Sequence, residues 1–90
     1  MNEKGTSFVN IINEPIKWDG DDSIYCAVRW RGMFAQAEKV DDERWYMSVF
    51  DLIDSVKKIS SGMMWCTKAE TAKSTCEAFM RLHAIKKVIL

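Results

Sequence analysis

Residues 23–32 read Ser23-Ile24-Tyr25-Cys26-Ala27-Val28-Arg29-Trp30-Arg31-Gly32, and no other stretch says as much about the fold. Ile24, Cys26, Val28 and Trp30 recur at period two, which places them on one side of a β-strand. Tyr25, Ala27, Arg29 and Arg31 fall on the other side. The first set suits a core. The second interleaves an aromatic ring with two guanidinium groups, an unusual composition for a sheet face that meets only water.

Working outward from this strand, turn chemistry appears on both sides. Trp18-Asp19-Gly20-Asp21-Asp22 precedes it, with an Asp-Gly pair of the kind that closes hairpins. The spacing lacks the alternating ligands and distal Glu of a calcium loop, so these aspartates read as a turn. Further back, Phe8–Asn13 reads as a strand, bounded by Pro15, which cannot donate to a ladder. Met1–Ser7 is polar and reads as a frayed end. On the other side, Arg31-Gly32 turns the chain into Met33–Val40, which alternates weakly as a third strand would and whose Ala and Glu content also fits a helical turn. Asp41-Asp42 is a second acidic turn, and Arg44–Met47 returns as a short fourth strand.

Beyond this point the period changes. Ser48 with Asp51 approximates a capping box, and Val49, Leu52, Ile53, Val56 and Ile59 form a helical stripe. Ser60-Ser61-Gly62 reads as its stop, and Met63–Cys66 as a connector or short strand. Thr67 with Glu70 repeats the cap signal. A second helix then runs to about Lys86, with Ala69, Ala72, Cys76, Phe79, Met80 and His83 on one face and Ala78, Leu82 and Ile85 widening it. The expected fold is α+β: an antiparallel sheet of three to four strands, followed by two helices packed on one of its faces. Ninety residues form a single small domain, residues 1–90. The sheet's second face is then left open, carrying Tyr25, Arg29 and Arg31.

Charge is balanced overall but not along the chain. Residues 1–54 hold six basic and eleven acidic side chains, and residues 55–90 hold seven basic and two acidic. Such a dipole permits self-association as a homo-oligomer, or a partner presenting both signs. The N-terminus has no apolar signal-like run and no stretch approaches a membrane span, so the expectation is a cytoplasmic chain without a membrane partner. Cys26, Cys66 and Cys76 are odd in number and include no CxxC pair. They read as reduced, small core hydrophobes. Adding His83 makes a Cys3His set by arithmetic only, because zinc ligands come in close pairs and Cys76 lies two helical turns from His83.

No catalytic set emerges. His83, the only histidine, lies on an apolar helical stripe and reads as a hydrogen-bonded core residue. Asp51 and Asp54 suit charge compensation at a helix start. No phosphate-binding glycine loop, HExxH or GxSxG is present, so neither enzymatic activity nor a cofactor or metal is expected. Arg29-Trp30-Arg31 with Tyr25 is similar in type to sheet surfaces that stack single-stranded nucleic acid. The pI near 6.6 and the acidic turns argue against a phosphate backbone as the main ligand. A protein partner fits better, since Trp, Tyr, Met and Arg are the residues that interfaces concentrate. The expected contact residues are Tyr25, Arg29 and Arg31 on the strand, with Lys68, Lys73, Lys86 and Lys87 on the second helix.

In size and layout the chain resembles the small modulators that bacteriophages encode to redirect host enzymes. The likeness is one of overall plan. It implies a non-catalytic binder whose partner is a larger host nucleic-acid-processing enzyme or defence complex, inhibited or redirected on binding, and it assigns no residue roles.

The cysteine reading is checked by thiol titration of the denatured protein. Three free thiols and no bound metal are expected. Stoichiometric zinc in a metal assay would contradict it.

Overall fold

The computed structural model describes residues 9–53 and 55–89. Five strands run in chain order: β1 (Asp19–Asp21), β2 (Tyr25–Trp30), β3 (Met33–Asp41), β4 (Arg44–Asp51) and β5 (Lys57–Trp65). A single long helix, α1 (Ala69–Ile89), follows. The sheet is an antiparallel meander in the order β1-β2-β3-β4-β5, with every strand beside its sequence neighbour. The architecture is α+β, as expected, but with five strands instead of three or four and one helix after the sheet instead of two. The frayed end assigned to residues 1–7 lies outside the described residues.

Each hairpin has a readable cause. Trp30 pairs with Met33 across a two-residue turn in which Arg31 (φ 51°) and Gly32 (φ 77°) both lie in the left-handed region. That is the turn whose twist matches paired strands. The positive φ of Gly32 favours glycine there, and a Cβ at this position would sit 2.5 Å from the Ile53 side chain of the loop after β4, which would have to shift. The other hairpins share one device: a strand-ending aspartate accepts the N–H two residues on. Asp21 takes Ser23, Asp41 takes Glu43 and Asp51 takes Ile53.

Three local expectations are overturned. Residues 9–13 are helical, with the Glu14 N–H donating to the Asn10 carbonyl at 2.7 Å. The turn stops before Pro15, which disfavours helical geometry in the residue preceding it. Asp19–Asp21 is a short exposed strand, so the first acidic turn begins only at Asp22, and Ile24 sits in that turn, 62% exposed, instead of in the core. The larger correction concerns residues 48–59, where no helix forms. Ser48–Asp51 completes β4, residues 52–56 are a loop, and Ile59 belongs to β5. The alternation begun at Trp45 and Met47 continues through Val49 and Asp51, and β-branched Val49 and Ile59 favour the extended chain. Ser60-Ser61-Gly62, read as a helix stop, lies within β5.

The core lies between α1 and one sheet face. Val28, Trp30, Met33, Ala35, Met47 and Val49 meet Cys76, Met80 and Ala84, with Ile11 from the N-terminal helical turn completing the cluster. Ala37 and Trp45 pack against Ala69 and Ala72 beside it. Small residues on both sides bring the helix close to the sheet. Phe79 and Leu82, expected on the buried face, point outward and are exposed. Among the described residues no helix is long and apolar enough to cross a membrane.

This packing separates two substitutions that a helix over 48–59 would make alike. Met80→Ala removes a fully buried side chain and should cost about 2–5 kcal/mol. Val56→Ala, at a position 76% exposed, should change stability by less than about 0.5 kcal/mol. Comparable losses in denaturant titrations of the two variants would contradict the strand assignment.

Candidate interaction surface

The face of the sheet opposite α1 is built by register. Tyr25, Glu38, Tyr46 and Met63 lie side by side on β2 to β5 and form one transverse row. Ala27, Gln36, Ser48 and Ser61 form the next, and Arg29, Phe34, Phe50 and Lys58 the one after. Arg44 and Trp65 pair at one end, with the Arg44 guanidinium 5.4 Å from the centre of the Trp65 ring. Five aromatic rings and three cations therefore share a face that no described element covers. Asp19, Asp21 and Glu38 bring acidic groups to the same face, and Asp41, opposite Arg44, accepts hydrogen bonds from its guanidinium at 2.6 and 2.8 Å.

The middle row is a polar floor between two aromatic rows. Tyr25 Oη donates to Gln36 Oε1 at 2.8 Å, holding the ring across the strand pair. Ser48 is only 2% exposed although no helix lies above it. It lies between Gln36 and Ser61 in the middle of the row. Trp65 stands out instead, at 75% exposed. A rigid sheet that presents rings and guanidinium groups loses little conformational freedom when a partner covers it.

Of the residues expected at the interface, Tyr25 and Arg29 are on this face and exposed. Arg31 is not. It occupies the β2–β3 turn, where its Nε donates to Glu14 Oε2 at 3.0 Å and its guanidinium lies 5.3 Å from the Trp30 ring centre. Strand alternation had put it beside Arg29, but the positive φ of the turn breaks the alternation there. The basic helix set divides as well. Lys73 Nζ donates to Asp22 Oδ1 at 2.9 Å, and Lys87 pairs with Asp51. These two lysines tie the helix to the sheet, so they do not form a free basic face with Lys68 and Lys86, which are exposed.

Phe34, Tyr46, Phe50, Lys58, Met63 and Trp65 were not anticipated. Phe34 and Tyr46 were legible as the out-of-phase positions of expected strands. Phe50 and Lys58 were hidden by the helical reading of residues 48–59, and Met63 and Trp65 lay in a stretch read as a connector or short strand.

The cysteines are dispersed. Cys26 and Cys76 are buried and Cys66 is half-buried, all as free thiols. Burial pushes the Cys76 thiol up to about 12 and Cys26 to about 11, the latter helped by the Asp22 carboxylate, to which its S–H donates. Neither is a nucleophile near neutral pH.

One titratable cluster lies at the far end of β4. Asp51 Oδ2 takes a hydrogen bond from His83 Nε2 at 2.8 Å and an ion pair from Lys87, while Oδ1 takes the Ile53 N–H at 3.0 Å. His83 is thus the half-buried, hydrogen-bonded histidine its position on the helix suggested. Ser55 and Lys57 line the same cavity of about 150 Å³, and among the described residues Ser55 makes no hydrogen bond to the imidazole. The cluster joins the end of α1 to the end of β4.

No protein-family model matches the chain, and no curated protein or solved structure matches it either.

The Asp51 cluster sets a pH dependence. Lys87 first, then the Ile53 N–H and His83, hold the Asp51 carboxyl well below the usual carboxylate range. A depressed folded-state pKa stabilises fully above the unfolded value, about 3.9, and this stability is lost as pH falls below it. Asp51→Asn should lower the melting temperature at neutral pH and flatten the decline below about pH 4. A variant that melts with the wild type at both neutral and acid pH would contradict the role given to Asp51.

Proposed function

We propose that the protein is a small non-catalytic binding module whose open sheet face docks on a larger protein. One observation carries this reading: α1 covers one face of the sheet and leaves the other with Tyr25, Phe34, Tyr46, Phe50 and Trp65 among Arg29, Arg44 and Lys58. Rings and arginines anchor interfaces because they bury large areas while keeping polar tips for hydrogen bonds. The mixed charge of the face, with Asp19, Asp21 and Glu38 beside the cations, suits a protein surface that also carries both signs. The overall plan supports the further step, that the partner is a host nucleic-acid-processing enzyme or defence complex which binding inhibits or redirects.

A second reading is favoured by one row alone. Arg29, Phe34, Phe50 and Lys58 place two adjacent rings between two cations, an arrangement suited to stacked bases and their phosphates. The acidic groups on the neighbouring rows oppose a longer strand, so single-stranded nucleic acid stands as the alternative.

The test uses Arg29→Ala combined with Trp65→Ala, two exposed positions whose loss should leave melting nearly unchanged. Affinity capture from a bacterial extract should recover one stoichiometric enzyme with the wild type. The double variant should bind that partner at least about 30-fold more weakly, the equivalent of about 2 kcal/mol for a buried anchor. Equal affinity of both proteins for the captured partner would contradict docking through this face. Salt-sensitive binding of a single-stranded oligonucleotide, abolished in the double variant, would establish the alternative.

A further inference from the structure

The sheet has two edges, and they are built differently. β1 is three residues long and carries Asp19 and Asp21, so it is a poor template for another strand. β5 is nine residues long, and among the described residues no strand pairs with its outer side. Its first part is blunted. Lys57 and Lys58 bring charge, and the register shift that pairs Phe50 with Lys58 but Val49 with Ser60 leaves Ile59 as a bulge. Its second part, Ser60-Ser61-Gly62-Met63-Met64-Trp65, has no charge, no proline and no bulge. Unpaired backbone N–H and C=O groups along such a run invite another strand.

Gly62 adds an independent observation. It pairs with Met47 and so lies on the helix side of the sheet, yet a Cβ built there would meet nothing within 4 Å. Its backbone is not in the left-handed region. The interior therefore gives no reason for glycine at this position. A glycine inside a strand otherwise marks a bulge or the close approach of another backbone, and the bulge lies three residues away.

We propose that β5 pairs antiparallel with β5 of a second copy of this chain, about a two-fold axis at Gly62. Ser61 then lies opposite Met63, Ser60 opposite Met64, and Gly62 opposite Gly62. Keeping the two sheet faces distinct allows only axes that pass through a residue. An axis at Met63 would set Lys58 against Lys68, and an axis at Ser61 would place the Ile59 bulge inside the pairing. The axis at Gly62 pairs Ser60–Met64 and leaves the Ile59 bulge outside, with Lys58 beyond it near the partner's Trp65 ring, a favourable neighbour for a cation. A net charge of zero adds no long-range repulsion between copies. The product is a ten-stranded sheet with two open faces made continuous.

The test is sedimentation of the wild type, Gly62→Asp, Gly62→Lys and an equimolar mixture of the two variants, with melting curves to confirm folding. The wild type should form a dimer. Each variant alone sets like charges against each other at the axis and should raise the dimer dissociation constant by about tenfold or more. The mixture should recover the dimer, because Asp then faces Lys. A wild type that stays monomeric through millimolar concentration overturns the proposal. So do single variants that dimerise like the wild type, an outcome pointing to the exposed outer face of α1 at Phe79 and Leu82. Should the Gly62 variants melt early, Ser61→Lys combined with Met63→Lys replaces them, since these positions lie opposite each other across the axis, and a dimer left intact likewise overturns the proposal. Arg29→Ala alone lies on β2, outside the proposed interface, and should leave the assembly unchanged while weakening open-face docking, so failure here is separable from failure of the functional reading.

Discussion

One helix cannot cover two faces of a sheet, and most of this molecule follows from that limit. At 21 residues α1 is about 31 Å long, enough to cross the strands once. It lays Ala69, Ala72, Cys76, Met80 and Ala84 against the sheet, and the small residues Ala35 and Ala37 receive it. Burial is therefore one-sided. The other face keeps its aromatic rings, and Trp65 is the most exposed of them. A ring-rich face of this kind is costly to leave in water and useful to a partner, and its place in the fold is what gives it a functional meaning.

Charge, split along the chain, is recombined by folding. The basic C-terminal half meets the acidic turns of the N-terminal half in the Lys73–Asp22 and Lys87–Asp51 pairs, one towards each end of α1. Arg81 fixes a third point, donating to the Ile11 carbonyl and lying 5.3 Å from the Trp30 ring centre. Among the described residues these two ion pairs join the halves, against a surplus of five charges of each sign. What remains on the open face is a local mixture of both signs, which bears on the choice of partner more than the overall balance does.

Much of the fold was legible wherever a period of two ran undisturbed. Cys26, Val28 and Trp30 are the core side of β2, and Tyr25 and Arg29 are its open side, as their alternation requires. Misreading began where two periods fit the same residues. Val49, Val56 and Ile59 satisfy a helical stripe and also suit strands, and single-sequence spacing cannot decide between hydrogen bonds to the next turn and hydrogen bonds to a neighbour strand. The decision came from tertiary structure: β5 supplies the ladder for β4, and Asp51 reaches His83 and Lys87 on α1. Arg31 was misplaced for a simpler reason, since a positive φ at one residue ends the alternation. That helical reading hid Phe50 and Lys58, while Met63 and Trp65, in a stretch read as a connector or short strand, gain their place on the open face only through the β4–β5 ladder.

The one-sided core is tested most directly by hydroxyl-radical footprinting of the free protein, read by mass spectrometry at its aromatic and methionine side chains. Trp65, Tyr25 and Met63 should oxidise readily, while Trp45, Met33 and Met80 should be protected until the protein unfolds. Protection of Trp65 together with rapid oxidation of Trp45 would mean that the helix covers the other face, and would contradict the account.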